Sequence, residues 1–162
     1  MSQVIHDSPL QFLNQWIIEN AVQQLGYVGE QPLLPESADQ AVTFIDCNQI
    51  TPWRDLSTHQ GLKAVVIAGA IETLSKEKVT QLLAGYRNAL VEAILVFVNF
   101  STAAEWSTAD FYGLGFKHRA SFPSDKTPLE LFEYNLRSYN HKRLWNSPKY
   151  WANPENFGKY WW

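Results

Sequence analysis

The side chains able to do chemistry are few and scattered along this chain. Its four histidines, His6, His59, His118 and His141, stand far apart, and none forms an H-x-x-x-H or H-x-x-E-H pair. Such a pair is what sets two ligands on one face of a helix, so the spacing supports no metal site. The single cysteine, Cys47, leaves no intramolecular disulfide and no Cys-rich zinc site. It adjoins Asp46, yet nothing around it spells an activated nucleophile, and a buried inert thiol is the simpler reading. No G-x-S-x-G elbow and no G-x-x-x-x-G-K-[ST] phosphate loop occurs, so hydrolase and NTPase chemistry lose their usual anchors. Gly26 and Gly29, three apart, come nearest to a turn where backbone could approach a ligand closely. Asp46 ends a β-branched segment, where a carboxylate serves as a polar strand terminus or a helix cap.

The elements that must position these residues read as alternating helix and strand. Ser8 and Pro9 suit the N-cap and first position of a helix running from Leu10 toward Leu25, with Gly26 closing it. Residues 26–40, rich in Gly, Pro and acids, read as irregular, with a short strand possible in Leu25–Val28. The segment Ala41–Asp46 is a strand by composition. Leu62–Ala70 and Ala93–Phe100 are near-continuous apolar runs, the mark of strands buried on both faces. Between them Ser75 opens a helix with the stripe Val79, Leu82, Leu83, Tyr86 and Leu90. Strand, helix and strand in about 40 residues make a βαβ unit with a right-handed crossover. Ser107 or Thr108 then caps a short helix that Gly115 ends, and KHRASF and LELFEYNL form two strands across the turn PSDKTP.

Composition narrows the field further. The chain of 162 residues is 46% apolar and 18% charged, which suits one globular domain. No apolar run reaches the length of a membrane span, and MSQVIHDSPL lacks the layout of a secretory signal. A cytoplasmic protein without membrane contact is the expectation. The net charge of −3 argues against a generally basic nucleic-acid binder. Charge and aromatics are uneven, however. Residues 139–162 hold eight aromatics and a net charge of +3, leaving −6 for the rest. Trp145, Lys149, Trp151 and Trp161 are the candidate contact residues of this tail. Such a tail can pack on its own domain, meet a protein partner, or stack on unpaired bases. Packing on the domain is preferred over a partner, and nucleic acid comes last.

From Leu62 onward the order of motifs resembles the second half of class I S-adenosylmethionine-dependent methyltransferases. LKAVVIAGAIETL stands where that family has its buried fourth strand and an L-E-H-L-like turn. AILVFVNF, WSTADFYGLGF, KHRASF and LELFEYNL then occupy the stations of the fifth strand, a short helix ending in G-F, and an antiparallel hairpin. The resemblance covers about 75 residues. The whole chain, with its ending KYWANPENFGKYWW, also resembles a small proteobacterial family with a methyltransferase-like core and no assigned activity. These resemblances imply an α/β, Rossmann-like fold, with an abbreviated class I methyltransferase-like sheet, a C-terminal antiparallel hairpin and the aromatic tail. Residues 1–138 would form the α/β domain and 139–162 an extension packed on it. If S-adenosylmethionine binds, the resemblance places it on Gly26, Gly29, Asp46, Gly69 and Glu72.

The departures from the family weigh more than the matches. No G-x-G-x-G follows the first strand, Lys63 replaces the acid that opens the fourth, and Glu72-Thr73 lacks the histidine of the E-H pair. Two further echoes, of the acetyltransferase F-Y-x-x-x-G-F ending and of the GLGF loop of PDZ domains, lack the flanking structure that either needs. The sequence therefore favours a non-catalytic methyltransferase-like binding or scaffolding module, with no catalytic residues, no metal and no cofactor. The alternatives are an active methyltransferase with a degenerate cofactor loop, and a single-stranded nucleic-acid binder acting through the tail.

Overall fold

The computed structural model describes residues 8–34, 42–49, 62–138 and Glu155. In chain order they form α1 (Pro9–Glu19), β1 (Gln24–Gly29), β2 (Thr43–Asp46), β3 (Ala64–Ala68), α2 (Lys76–Asn88), β4 (Ala93–Val98), α3 (Thr108–Gly113), β5 (Lys117–Phe122) and β6 (Leu129–Asn135). The six strands make one sheet in the order β2-β1-β3-β4-β6-β5. The first four run parallel. The hairpin β5–β6 closes the far side, with β6 antiparallel to β4.

The two apolar runs become the adjacent parallel strands β3 and β4. Both of their faces are covered, which is why they show no polar alternation. Val65, Ile67, Ile94 and Val96 join a cluster with Val79, Leu83 and Tyr86 of α2 and Phe111 of α3. Val66, Leu95 and Phe97 point the other way and meet Phe12, Leu13, Trp16 and Ile17 of α1. Val65, Val66, Ile67, Leu95, Phe97 and Val98 are each no more than 5% exposed.

Helix α1 is shorter than its apolar stripe suggests. It starts as expected, with the Ser8 hydroxyl accepting the Gln11 N–H at 3.2 Å. It stops at Glu19, because Ala21 turns into the left-handed region at φ 50°. There the N–H groups of Ala21 and Val22 return to the carbonyls of Ile18 and Ile17, a Schellman closure built without glycine. Gly26 consequently lies inside β1 rather than at a helix end. Helix α2 ends in the same manner at Leu90, whose φ is 60°. Leu90 is therefore 69% exposed instead of continuing the buried stripe. In α3 the closure falls on Gly115, where the geometry is free of strain.

On the edge strand β5, Lys117, His118 and Arg119 are exposed, and the pairing with β6 shifts between His118 and Ala120. The tail candidates Trp145, Lys149, Trp151 and Trp161 lie outside the described residues, as do His6, His59 and His141. No helix among the described residues is long and apolar enough to cross a membrane.

Candidate functional site at the carboxyl ends of the parallel strands

Strand β1 has β2 on one side and β3 on the other, so the strand order reverses there. In open α/β sheets the crevice outside the carboxyl ends of the strands at such a reversal is where ligands bind. A cavity of about 660 Å³ occupies this position. Leu13 of α1, Val66 and Ala68 of β3, Phe97 of β4 and Leu129 of β6 supply apolar walls. Most polar groups come from the turns that follow three parallel strands, Glu30 and Gln31 after β1, Glu72 after β3, and Asn99 and Thr102 after β4, and Ser8 and Thr127 add two hydroxyls. Among the described residues no Lys, Arg or His lines it.

The turn after β1 is held by backbone contacts. Gly29 has φ 89°, and a β-carbon on it would fall 1.8 Å from the Ala68 carbonyl oxygen. The following N–H, that of Glu30, donates to that same oxygen at 3.0 Å. On the other side Asn48 clamps the turn: its Oδ1 accepts the Gly29 N–H at 2.8 Å and its Nδ2 donates to the Gly29 carbonyl at 3.3 Å. The Asp46 carboxylate is taken up in the same loop, accepting from the Asn48 backbone N–H and side-chain amide, each at 2.9 Å. These bonds, the backbone one foremost, hold its pKa below the usual aspartate value.

The turns after β3 and β4 are stitched to each other. Gly69 has φ 78°, and the Thr73 hydroxyl donates to its carbonyl at 3.0 Å. Glu72 reaches across so that Oε1 accepts the Asn99 N–H at 2.8 Å. Asn99, buried at 8% exposure, turns its own Oδ1 onto the Ser101 N–H at 2.9 Å. The register of the parallel pair makes this bond possible, since β3 and β4 end side by side.

Of the five residues implied as cofactor contacts, the structure brings Gly69 and Glu72 to the cavity wall. The other three stand apart from its lining. Gly26 lies within β1, and its missing side chain makes room for Cys47 Sγ, Leu62 and Val65 on the opposite face of the sheet. The expectation of a Gly26–Gly29 loop is corrected accordingly: the first glycine serves strand packing and the second a tight approach to Ala68. Asp46 faces its own loop. Glu30, Asn99 and Thr102 were not singled out from the sequence, although a polar residue directly after a buried run, such as Asn99, marks a strand's functional end.

Elsewhere the candidate groups are structural. Cys47 is 1% exposed and burial pushes its thiol pKa up, so it is a poor nucleophile. His118 Nε2 lies 2.5 Å from Glu130 Oε2, and Ser121 Oγ donates to that same oxygen at 2.6 Å. Ser121 meets the imidazole at this same Nε2. A nucleophilic triad needs the carboxylate on the other ring nitrogen, so this cluster lacks its geometry. Among the described residues no group of three or more His, Cys, Asp or Glu side chains could hold a metal ion.

Residues 7–162 match the model of a family described as "Family of unknown function (DUF6231)", and the chain belongs to that family. No curated protein matches the sequence. Among solved structures the fold is similar to magnesium protoporphyrin IX methyltransferase (ChlM) from Synechocystis PCC 6803, solved with bound S-adenosylmethionine. The TM-score is 0.50 at 10% sequence identity, over 76% of each chain. This likeness establishes a Rossmann-like, class I methyltransferase fold.

Proposed function

For this member of DUF6231 we propose a small-molecule-binding module on a methyltransferase fold that does not transfer a methyl group. The supporting observation is the cavity at the strand-order reversal, of a size typical for ligand sites and apolar with a few convergent polar groups. The residues present do not fit S-adenosylmethionine. The family's glycine-rich turn is replaced by Glu30, Gln31, Pro32 and Leu33, all with side chains, immediately after Gly29. Gly29 spends its conformational freedom on the Ala68 carbonyl, and Asn48 bonds both the Gly29 backbone and Oδ1 of Asp46.

Binding of the neutral, apolar fluorophore N-phenyl-1-naphthylamine tests the cavity. The full-length chain should enhance its fluorescence saturably. Ala68→Phe, which fills the cavity from β3, should abolish that signal while keeping the native circular dichroism. Equal binding by the variant would place the ligand elsewhere and overturn the proposal.

Methyl transfer from S-adenosylmethionine is the second reading. It is favoured by Gly69 and Glu72 lining the cavity and by the cofactor-bound state of the similar methyltransferase. A donor present at 100 times its dissociation constant would stabilise the fold by about 2.7 kcal/mol. That is a rise of several degrees in melting temperature for a chain of this length. Our proposal expects no such rise.

A further inference from the structure

Among the described residues two carboxyl side chains line the cavity, and one of them can be met from inside it. Glu72 accepts the Asn99 backbone N–H with Oε1 at 2.8 Å, and its Oε2 is buried, so this carboxyl group belongs to the wall. Glu30 is exposed, and its carboxylate makes no hydrogen bond or ion pair among the described residues. The backbone fixes where that carboxylate stands. The Glu30 N–H donates to the Ala68 carbonyl at 3.0 Å, which pins the residue to the end of β3. Its side chain then runs across the Gly69 turn, with Cγ, Cδ and Oε1 at 3.7, 3.9 and 4.0 Å from where a Gly69 β-carbon would lie.

An approachable carboxylate thus borders the apolar walls of Leu13, Val66, Phe97 and Leu129, and this sets a condition on the occupant. An apolar body seated on those walls removes water from the carboxylate at their edge. Covering a charge without giving it a partner costs free energy, and a cation that donates hydrogen bonds to it offsets that cost. A neutral ligand leaves the charge bare, an anion adds repulsion, and an ammonium group satisfies it.

We infer that the cavity takes an amine with an apolar body, protonated at neutral pH, whose ammonium group donates to the Glu30 carboxylate. The inference rests on the cavity being the ligand site, as proposed above, and adds the charge of the ligand and the residue that reads it.

Displacement of N-phenyl-1-naphthylamine from the full-length chain separates the two claims. The competitors are 2-naphthylmethylamine, cationic at neutral pH, and 2-naphthalenemethanol, its neutral counterpart of nearly the same shape. At low salt the amine should displace the fluorophore roughly threefold more strongly or better, the order expected of an ion pair at an exposed side chain. That preference should shrink in about 1 M NaCl, which screens the pair. Glu30→Gln, which keeps the length of the side chain and removes its charge, should bring amine and alcohol to equal strength. Glu30→Ala should do the same and serves if the first variant fails to fold. Equal displacement by amine and alcohol on the wild-type chain, or a preference that survives in salt or in the folded variants, overturns Glu30 as the counter-charge while the cavity stands. Absence of fluorophore binding to the wild-type chain overturns both.

Discussion

Gly29 and Ala68 meet so closely that the β1 turn leaves no room for a side chain: a β-carbon at Gly29 would lie 1.8 Å from the Ala68 carbonyl oxygen. This contact joins the ends of the two strands that flank the reversal of strand order, and so fixes one rim of the cavity. Gly29→Ala must move the β3 backbone or flip the turn, on top of placing a side chain at φ 89°. The expected cost is about 3 kcal/mol or more, visible in a urea titration as an earlier midpoint. A variant with an unchanged midpoint would show that the turn yields freely.

Leu90 offers the opposite change. It holds φ 60° at the close of α2 and is 69% exposed, so its side chain contributes little packing. The left-handed region costs a non-glycine residue about 1–2 kcal/mol, and glycine's extra chain entropy returns roughly 0.5–1 kcal/mol of that. Leu90→Gly should therefore stabilise the protein by about 0.5–1 kcal/mol, raising the melting temperature by roughly 1–4 °C. Leu90→Ala, which keeps the strain, should not. A drop in melting temperature for the glycine variant would contradict this account of the helix end.

Asp110 gives the fold an acid-sensitive joint. Its Oδ2 accepts the Ser107 N–H at 2.8 Å and pairs with Lys76 at 3.1 Å, linking the start of α3 to the start of α2. The backbone bond to Ser107 is the leading cause that lowers its pKa below the ordinary aspartate value, with Lys76 next. A carboxyl group whose pKa is lower in the folded chain stabilises it fully above the unfolded pKa. That contribution drains away as the pH falls through the lowered value. Thermal melts of wild type and Asp110→Asn should thus differ at neutral pH and converge below about pH 4, toward the acid end of the carboxylate range. A gap that persists at acid pH would assign the effect to packing instead.

The parts of the fold written in local pattern were legible. The runs around Ile67 and Val96 announce two-sided burial because every position is apolar, and Ser75 and Ser107 announce helix starts by their type. The helix ends at Ala21 and Leu90 were hidden, since neither carries the glycine that marks a Schellman closure. Gly26 misled for a related reason: its absent side chain answers to Cys47, Leu62 and Val65, which are distant in sequence. The cavity's polar corner depends on Glu72 reaching a backbone N–H 27 residues later. No periodicity records that bond, because it arises from the register of two parallel strands.

Calorimetric titration of the full-length chain with S-adenosylmethionine and S-adenosylhomocysteine tests the central claim most directly. The account predicts no saturable heat with either compound, for the wild type and for Asp46→Ala alike. A saturable heat with the wild-type chain that disappears in Asp46→Ala would contradict it and identify the protein as a user of the methyl donor.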